Sequence, residues 1–294
     1  MEAGLFQSIG RGWVFLKQSW FLGQRAPGVI FPVIASLVVS VIILVIMALP
    51  LGGLIIYIRK ELLGQIAIGV VIGLTLVILL AIANIMRLMS AKLGGMALSG
   101  QNPIVSEAWQ RVTDLGADAF WMGLGYPVYR VWLGLRRLFH SPKRNAWEDS
   151  EHLFVPVLAN QEIDMREAPV QIAKMQAQNC VFTAENVGIH KAATLLTLGA
   201  LIFGLIAGSG AAWFVLTNVQ DAGQARAMAF GLAVLSIAIF ALPVALYCSY
   251  GIALFNTCLY LWGMRVREAR KGESSASTAV PEPLAVALGI RSGR

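Results

Sequence analysis

The pattern of hydrophobic and polar positions along this chain is dominated by four long apolar runs without a single Asp, Glu, Lys, Arg or His. A membrane-spanning α-helix needs about 20 consecutive apolar residues, so each run is close to or above the length of one span. The runs cover residues 29–58, 66–83, 192–216 and 228–263. The pattern therefore predicts an all-α integral membrane protein with four transmembrane helices. We expect one transmembrane hairpin over residues 28–100 and a second over residues 191–264.

The fourth run is longer than one perpendicular crossing requires. Its 36 residues would extend about 54 Å as an α-helix, whereas the hydrocarbon core of a bilayer is about 30 Å thick. Pro243 lies inside the run, where a proline removes a backbone hydrogen bond and bends the helix. Two arrangements fit this pattern: the helix kinks at Pro243, or it projects into the cytoplasm before Arg265.

The segment before the first run, residues 1–27, does not have the pattern of a cleaved signal peptide, whose apolar region is shorter and ends at a cleavage site. Large apolar residues recur here at helical spacing, while Arg11 and Gln18 fall on the other side. The apolar positions are Leu5, Phe6, Ile9, Trp13, Leu16, Trp20 and Phe21. The segment is therefore predicted to be an amphipathic helix. It either lies in the membrane interface or packs on the cytoplasmic ends of the other helices.

Residues 101–190 separate the two hairpins and are expected to form interfacial or re-entrant helices on the cytoplasmic side. A helix is predicted to begin at Asp164, which has a capping-box-like spacing from Glu167. The segment 120–139 mixes aromatic residues with Arg, as interfacial segments do, and it is surface-lying, re-entrant or a fifth membrane element. Residues 265–294 end in a stretch rich in Ser, Ala, Gly and Pro and are predicted to form a disordered C-terminal tail.

Composition and charge agree with a membrane protein and indicate its orientation. Apolar residues make up 57% of the chain and charged residues only 13%, whereas about a quarter of a soluble domain is charged. The net charge of +7 does not indicate nucleic-acid binding, because the basic residues flank the apolar runs. With both termini and the middle segment in the cytoplasm, 20 of the 23 Lys and Arg residues lie inside, as the positive-inside rule favours. We expect a multi-pass protein of the bacterial cytoplasmic membrane with both termini cytoplasmic.

Candidate chemistry is sparse, and the sequence indicates no catalytic, metal-binding or cofactor-binding site. Glu148 and His152 are four residues apart in the densest polar cluster, but no second His lies at a ligand-like spacing. The three cysteines are too few for a disulfide framework, and two of them lie inside the fourth run. The sequence also has no Walker loop, nucleophile motif or kinase signature.

Three small groups of residues are candidates for other roles. Gly204 and Gly208 form a GxxxG pair, which lets helix backbones approach closely within the protein or at a subunit interface. Lys143 and Arg144 belong to a basic loop that either contacts anionic lipid headgroups or is an ordinary cytoplasmic loop. Polar groups of the fourth run either bond to neighbouring helices or line a solute path. The residues in question are Ser249, Asn256 and Thr257.

Two segments carry short motifs in a fixed order. The first contains Gly10-Arg-Gly-Trp13, Ser19-Trp20 and Phe31-Pro32, and the second contains Trp147, Leu153-Phe-Val-Pro-Val-Leu158, Glu162 and Glu167-Ala168. Together they resemble a family of uncharacterised bacterial multi-pass membrane proteins, in which Val-Pro-Val-Leu precedes a Glu-Ala helix before the last hairpin. The Arg-Ser that usually follows Glu-Ala in that family is Pro169-Val170 here. The resemblance implies an architecture and no activity.

The first third of the chain is also similar, more weakly, to bacterial sulfate permeases of the cysteine pathway. Those proteins combine partial-span helices with full spans, and the resemblance carries over no binding residue.

The functional hypothesis follows from the apolar runs. Ionisable residues inside spans usually mark pumps and proton relays, so charge-free runs disfavour proton-coupled transport. We expect a non-enzymatic scaffold or accessory subunit that packs laterally with itself or with a larger membrane complex in the lipid bilayer. The alternative is a channel or permease for a small neutral solute or an anion.

Overall fold

The computed structural model describes residues 4–57, 62–116, 151–161, 163–178, 188–271 and 280–290, together with positions 118 and 125. Over these residues the chain is almost wholly helical and contains no strand. A 3-10 turn at Glu151–Leu153 precedes the fifth of the helices in our numbering. The helices are α1 Leu5–Arg25, α2 Pro27–Tyr57, α3 Leu62–Leu98, α4 Val105–Leu115, α5 Phe154–Asn160, α6 Ala168–Gln178, α7 Ile189–Asn218, α8 Ala222–Lys271 and α9 Glu282–Leu288.

Four of these helices, α2, α3, α7 and α8, are long and apolar enough to span a membrane. They coincide with the four charge-free runs, because a helix satisfies its backbone hydrogen bonds internally and its apolar side chains favour hydrocarbon. The prediction of an all-α protein with four apolar helices of spanning length is confirmed. These four helices fit a multi-pass membrane protein. α2 packs on α3 and α7 packs on α8, which gives two hairpins.

Buried side chains concentrate at one end of the molecule, which we call the base. The base comprises α1, α4, α5, α6 and α9 with the adjoining ends of the four long helices. Its fully buried side chains include Phe15, Leu93, Leu158, Ile172 and Leu254. Beyond the base, the long helices expose most of their apolar residues: within the most apolar window of α3 and of α7, only 11% of residues are buried. The main hydrophobic core is therefore at one end of the helices, and a smaller cluster of Val215, Ala225 and Ala229 joins α7 to α8 at the other end.

The base explains the length of the fourth apolar run. α8 continues through Pro243 to Lys271, and most of its residues from Leu246 to Tyr260 are buried in the base. This part of the run is apolar because it packs against other helices of the chain. The fourth run is longer than one span because it combines a membrane-spanning part with a part that is buried in the base.

α1 packs on the ends of the other helices mainly through one side. The ring of Phe15 meets that of Phe255 edge-on, with 5.2 Å between their centroids. A Cβ added at Gly12 would lie 2.9 Å from the Cβ of Ala192, so only glycine permits this approach of α1 to α7. The opposite side of α1 exposes four large aromatic residues. They are Phe6, Trp13, Trp20 and Phe21.

The prediction of a disordered tail over residues 265–294 is wrong for much of that range. α8 runs to Lys271, and α9 packs on α1 with Leu284 fully buried. Gly289 closes α9 in the left-handed region, with a φ of 70° that favours glycine. The Ser-rich part dominates the composition of this range, so composition alone did not indicate the short apolar helix α9.

The predicted start of a helix at Asp164 is also wrong. Residues 165–167 form a turn, and α6 begins at Ala168, where Pro169 fits the first helical turn. Ala168, Ile172 and Met175 form the buried side of α6.

Several predicted features lie outside the described residues. They are the segment 120–139 apart from position 125, the headgroup candidates Lys143 and Arg144, and Glu148 of the polar cluster.

Candidate functional site

A large apolar cavity separates the first hairpin from α8 on the side away from the base. Its volume is about 670 Å³, within the range of ordinary ligand pockets. We call it the cleft. Its polar lining residue, Thr75, donates its hydroxyl to the carbonyl of Val71 at 2.7 Å within the same helix. The cleft is lined by Leu37, Val41, Leu44, Val45, Met47, Ala48, Leu51 and Gly52 of α2, by Ile72, Thr75, Leu76 and Leu79 of α3, and by Phe230, Gly231, Val234, Leu235, Ala238, Ile239 and Pro243 of α8.

A small cavity lies between the same three helices at the edge of the base, and we call it the junction cavity. Its volume of about 10 Å³ corresponds to roughly one water molecule. Half of the lining residues carry polar side chains, in contrast to the cleft. The lining residues are Pro32, Val33, Ser36, Ala83, Met86, Arg87, Ser90, Leu246, Ser249 and Tyr250.

The polar groups of the junction cavity differ in how they are bonded. The Ser90 hydroxyl donates to the carbonyl of Met86 at 2.8 Å, and the Tyr250 hydroxyl donates to the carbonyl of Ser19 at 3.0 Å. The Ser36 side chain is 1% exposed, and its hydroxyl has no hydrogen-bond partner within the described residues. A buried hydroxyl without a partner costs free energy, so it is a group that a ligand or water would satisfy.

The three residues predicted to line a solute path are separated by the fold. Ser249 lines the junction cavity. Asn256 is 1% exposed, and neither its amide oxygen nor its amide nitrogen has a partner within the described residues. Thr257 donates its hydroxyl to the carbonyl of Ala253 at 2.8 Å, one turn earlier in α8. Only Ser249 and Asn256 therefore keep a polar group available to anything other than the helix itself.

Gly204 and Gly208 lie on the buried side of α7 against the backbone of α8. A Cβ at Gly204 would be 2.9 Å from the Cα of Ile237, and one at Gly208 would be 3.0 Å from the Cα of Ala233. The distance at Gly204 is shorter than real Cβ contacts, so this position requires glycine, and the distance at Gly208 is tighter than most real Cβ contacts. The pair packs α7 on α8 within the chain, which was one of the two predicted alternatives.

A second GxxxG pair, which we did not single out from the sequence, lies on α3. Gly69 and Gly73 are exposed, and a Cβ at either would meet nothing within 4 Å. Gly199 and Gly210 on α7 have the same open surroundings. The spacing of Gly69 and Gly73 was visible in the sequence, but only the fold distinguishes an open pair from a packed one.

Arg87 is the other functional candidate that sequence reasoning missed. It lies four residues beyond the charge-free part of α3 and was counted only as a cytoplasmic basic residue. In the structure its Nε is buried, and its side chain lines the junction cavity beside the apolar cleft.

In the part of the chain that the structure describes, no three His, Cys, Asp or Glu side chains form a group that could hold a metal ion. Cys248 and Cys258 are buried, are not joined in a disulfide and lie within α8. No protein-family model, curated protein or solved structure matches this chain.

Proposed function

We propose that the protein is a non-enzymatic scaffold or accessory subunit, which packs laterally in the membrane against a second copy or a larger complex. The observation that supports this most strongly is the open Gly69–Gly73 pair on α3. Small residues at this spacing let a second helix backbone approach closely, and in a bilayer such packing drives helix association. Exposed Ile66 and Val70 flank the pair and would supply the surrounding van der Waals contacts.

The organisation of the molecule suits such a role. The base joins all four long helices at one end, so the hairpins are held in position by a core that does not use their outer apolar surfaces. Those surfaces are therefore free to contact lipid or another membrane protein.

The orientation we propose puts the base on the cytoplasmic side of a bacterial cytoplasmic membrane, with both termini inside. The distribution of Lys and Arg supports it, because 20 of 23 then lie inside. α1 would lie at the interface, since its exposed Trp13 and Trp20 accompany exposed Lys17 and Arg25. Trp residues beside basic residues are typical of the boundary between hydrocarbon and headgroups.

The test uses two double variants that differ only in the face they change. The variant G69L/G73L fills the open face of α3, and the variant G199L/G210L fills an open face of α7 as the matched control. The full chain is extracted into polymer nanodiscs without detergent, and the mass of the extracted particles is measured. We expect a dimer or larger complex in the wild type and the control, and a monomer in G69L/G73L. A wild type that is monomeric and without partners would contradict the proposal.

A channel or permease is the second candidate, and the unpartnered amide of Asn256 supports it. A path along one face of α8 would join Asn256 to Ser249, which is seven residues away and on the same side of the helix. The test measures glycerol and chloride flux in proteoliposomes. Flux that is lost in Asn256→Leu but kept in Thr257→Val would favour this function, because the Thr257 hydroxyl already bonds to its own helix.

A further inference from the structure

The three helices that line the cleft, α2, α3 and α8, come together at the base and separate away from it. At the end next to the base the cleft stops at Leu37, Leu79 and Pro243, which we call its floor. Beyond the floor the same three helices leave only the junction cavity of about 10 Å³. The cleft is therefore closed at this end.

The opposite end of the cleft, which we call the mouth, is open. Gly52 of α2 and Gly231 of α8 line the mouth, and a Cβ added at either glycine would meet nothing within 4 Å. The charge-free run of α8 begins at residue 228, so the mouth lies near the membrane surface away from the base. From Phe230 to Pro243, α8 extends about 20 Å, which is more than the 15 Å or so of one leaflet. The cleft is therefore deep enough for the full length of a leaflet's hydrocarbon chain.

The volume of the cleft limits what can occupy it. A volume of about 670 Å³ spread over a length of about 20 Å gives a mean cross-section of roughly 33 Å². An α-helix with its side chains is about 10 Å across, so a 20 Å length of helix fills roughly 1,600 Å³ and is too large. A hydrocarbon chain is a single row of carbon atoms, about 4–5 Å across at van der Waals contact, and fits with room to spare.

The chemistry of the cleft agrees with a hydrocarbon occupant. Thr75 donates its hydroxyl to the carbonyl of Val71 within the same helix, and the other lining side chains are apolar. No lining side chain is therefore left to bond a polar ligand or to hold ordered water. An empty cavity of this size would lose the dispersion contacts of its lining, so a hydrocarbon chain stabilises the separated arrangement of the three helices.

We infer that the cleft binds an acyl chain of a phospholipid from the leaflet away from the base. The end of the chain lies at the floor, and the ester and phosphate groups stay outside the mouth. The cleft shares no lining residue with the exposed face of α3 that carries Gly69 and Gly73, so the inference does not depend on the scaffold role.

The experiment maps where the end of an acyl chain lies. The full chain is placed in phosphatidylcholine nanodiscs that contain a small fraction of phosphatidylcholine with a diazirine at the end of one acyl chain. On illumination the diazirine loses dinitrogen, and the resulting carbene inserts into a nearby C–H bond, which peptide mass spectrometry locates. We expect labelling of the floor to exceed labelling of Phe203 and Ile206, which are 60% and 66% exposed near the middle of the third apolar run. A second lipid with its diazirine close to the ester should label Phe230 at the mouth and not the floor.

Variants at the mouth test whether the chain enters there. Gly231→Leu and, independently, Gly52→Leu should fill the mouth and reduce labelling of the floor to the level of the exposed surface of α7. Gly210→Leu is the matched control, because this position is also open but does not line the cleft, and it should leave labelling of the floor unchanged. Thermal unfolding in the same nanodiscs verifies that each variant is folded.

Two results would overturn the inference. One is a wild type whose floor is labelled no more than the exposed surface of α7, which is also the result expected if a co-purifying protein fills the cleft. The other is unchanged labelling of the floor in folded Gly231→Leu and Gly52→Leu.

Discussion

The hydroxyl of Tyr250 donates a hydrogen bond to the backbone carbonyl of Ser19 at 3.0 Å, which ties α8 to α1 inside the base. Both residues are almost fully buried. Tyr250 also lines the junction cavity, so this bond places α1 next to that cavity.

Tyr250→Phe should lower the free energy of unfolding by about 1–3 kcal/mol, because a buried carbonyl loses its partner. The measurement is equilibrium unfolding in detergent micelles. Trp213→Phe is the control and should have almost no effect, because Trp213 is 72% exposed. Equal stability of Tyr250→Phe and the wild type would show that this bond does not contribute to stability.

Glycines of α7 should respond in opposite directions to the same substitution. Gly204→Ala should destabilise the protein, because its Cβ would lie 2.9 Å from the backbone of α8. Gly199→Ala should be neutral or stabilising by up to about 1 kcal/mol, because its surroundings are open and Ala favours a helix. Thermal unfolding of the two variants in the same detergent measures the difference. Similar shifts in both variants would contradict the packing of α7 on α8.

The same two hairpins show what sequence could and could not predict. Charge-free runs identify helices of spanning length because a segment's preference for the bilayer depends on its apolar composition and its length, and both can be read from the sequence. The pairs Gly69–Gly73 and Gly204–Gly208 have identical spacing, however, and only the position of α8 makes one packed and the other open. The junction cavity was missed for the same reason, since its polar lining residues come from three helices that are far apart in the sequence.

Arg111 holds the end of α5 through three backbone carbonyls. Its guanidinium donates to Leu158 at 2.9 Å, to Gln161 at 2.8 Å and to Ile163 at 2.7 Å. Arg111→Met should expose the end of α5 to solvent, because the last carbonyls of a helix have no partner within it.

The measurement is hydrogen exchange over residues 154–163, where we expect protection to fall by one to two orders of magnitude, which corresponds to about 1.5–3 kcal/mol. Gln110→Ala on the exposed side of α4 is the control and should leave exchange unchanged. Arg111→Lys should not restore protection, because a single ammonium cannot reproduce the planar fork of Arg.

α9 should contribute to the stability of the base even though it lies next to the end of the chain. Leu284 is fully buried, whereas Val286, two residues later on the same helix, is 40% exposed. Leu284→Ala should cost about 2–5 kcal/mol, the usual range for deleting a large buried side chain, and Val286→Ala should cost well under 1 kcal/mol. Unfolding of the two variants in detergent provides the comparison. A disordered tail would give two equally small effects, so a clear difference between Leu284→Ala and Val286→Ala would show that α9 folds onto α1 in solution.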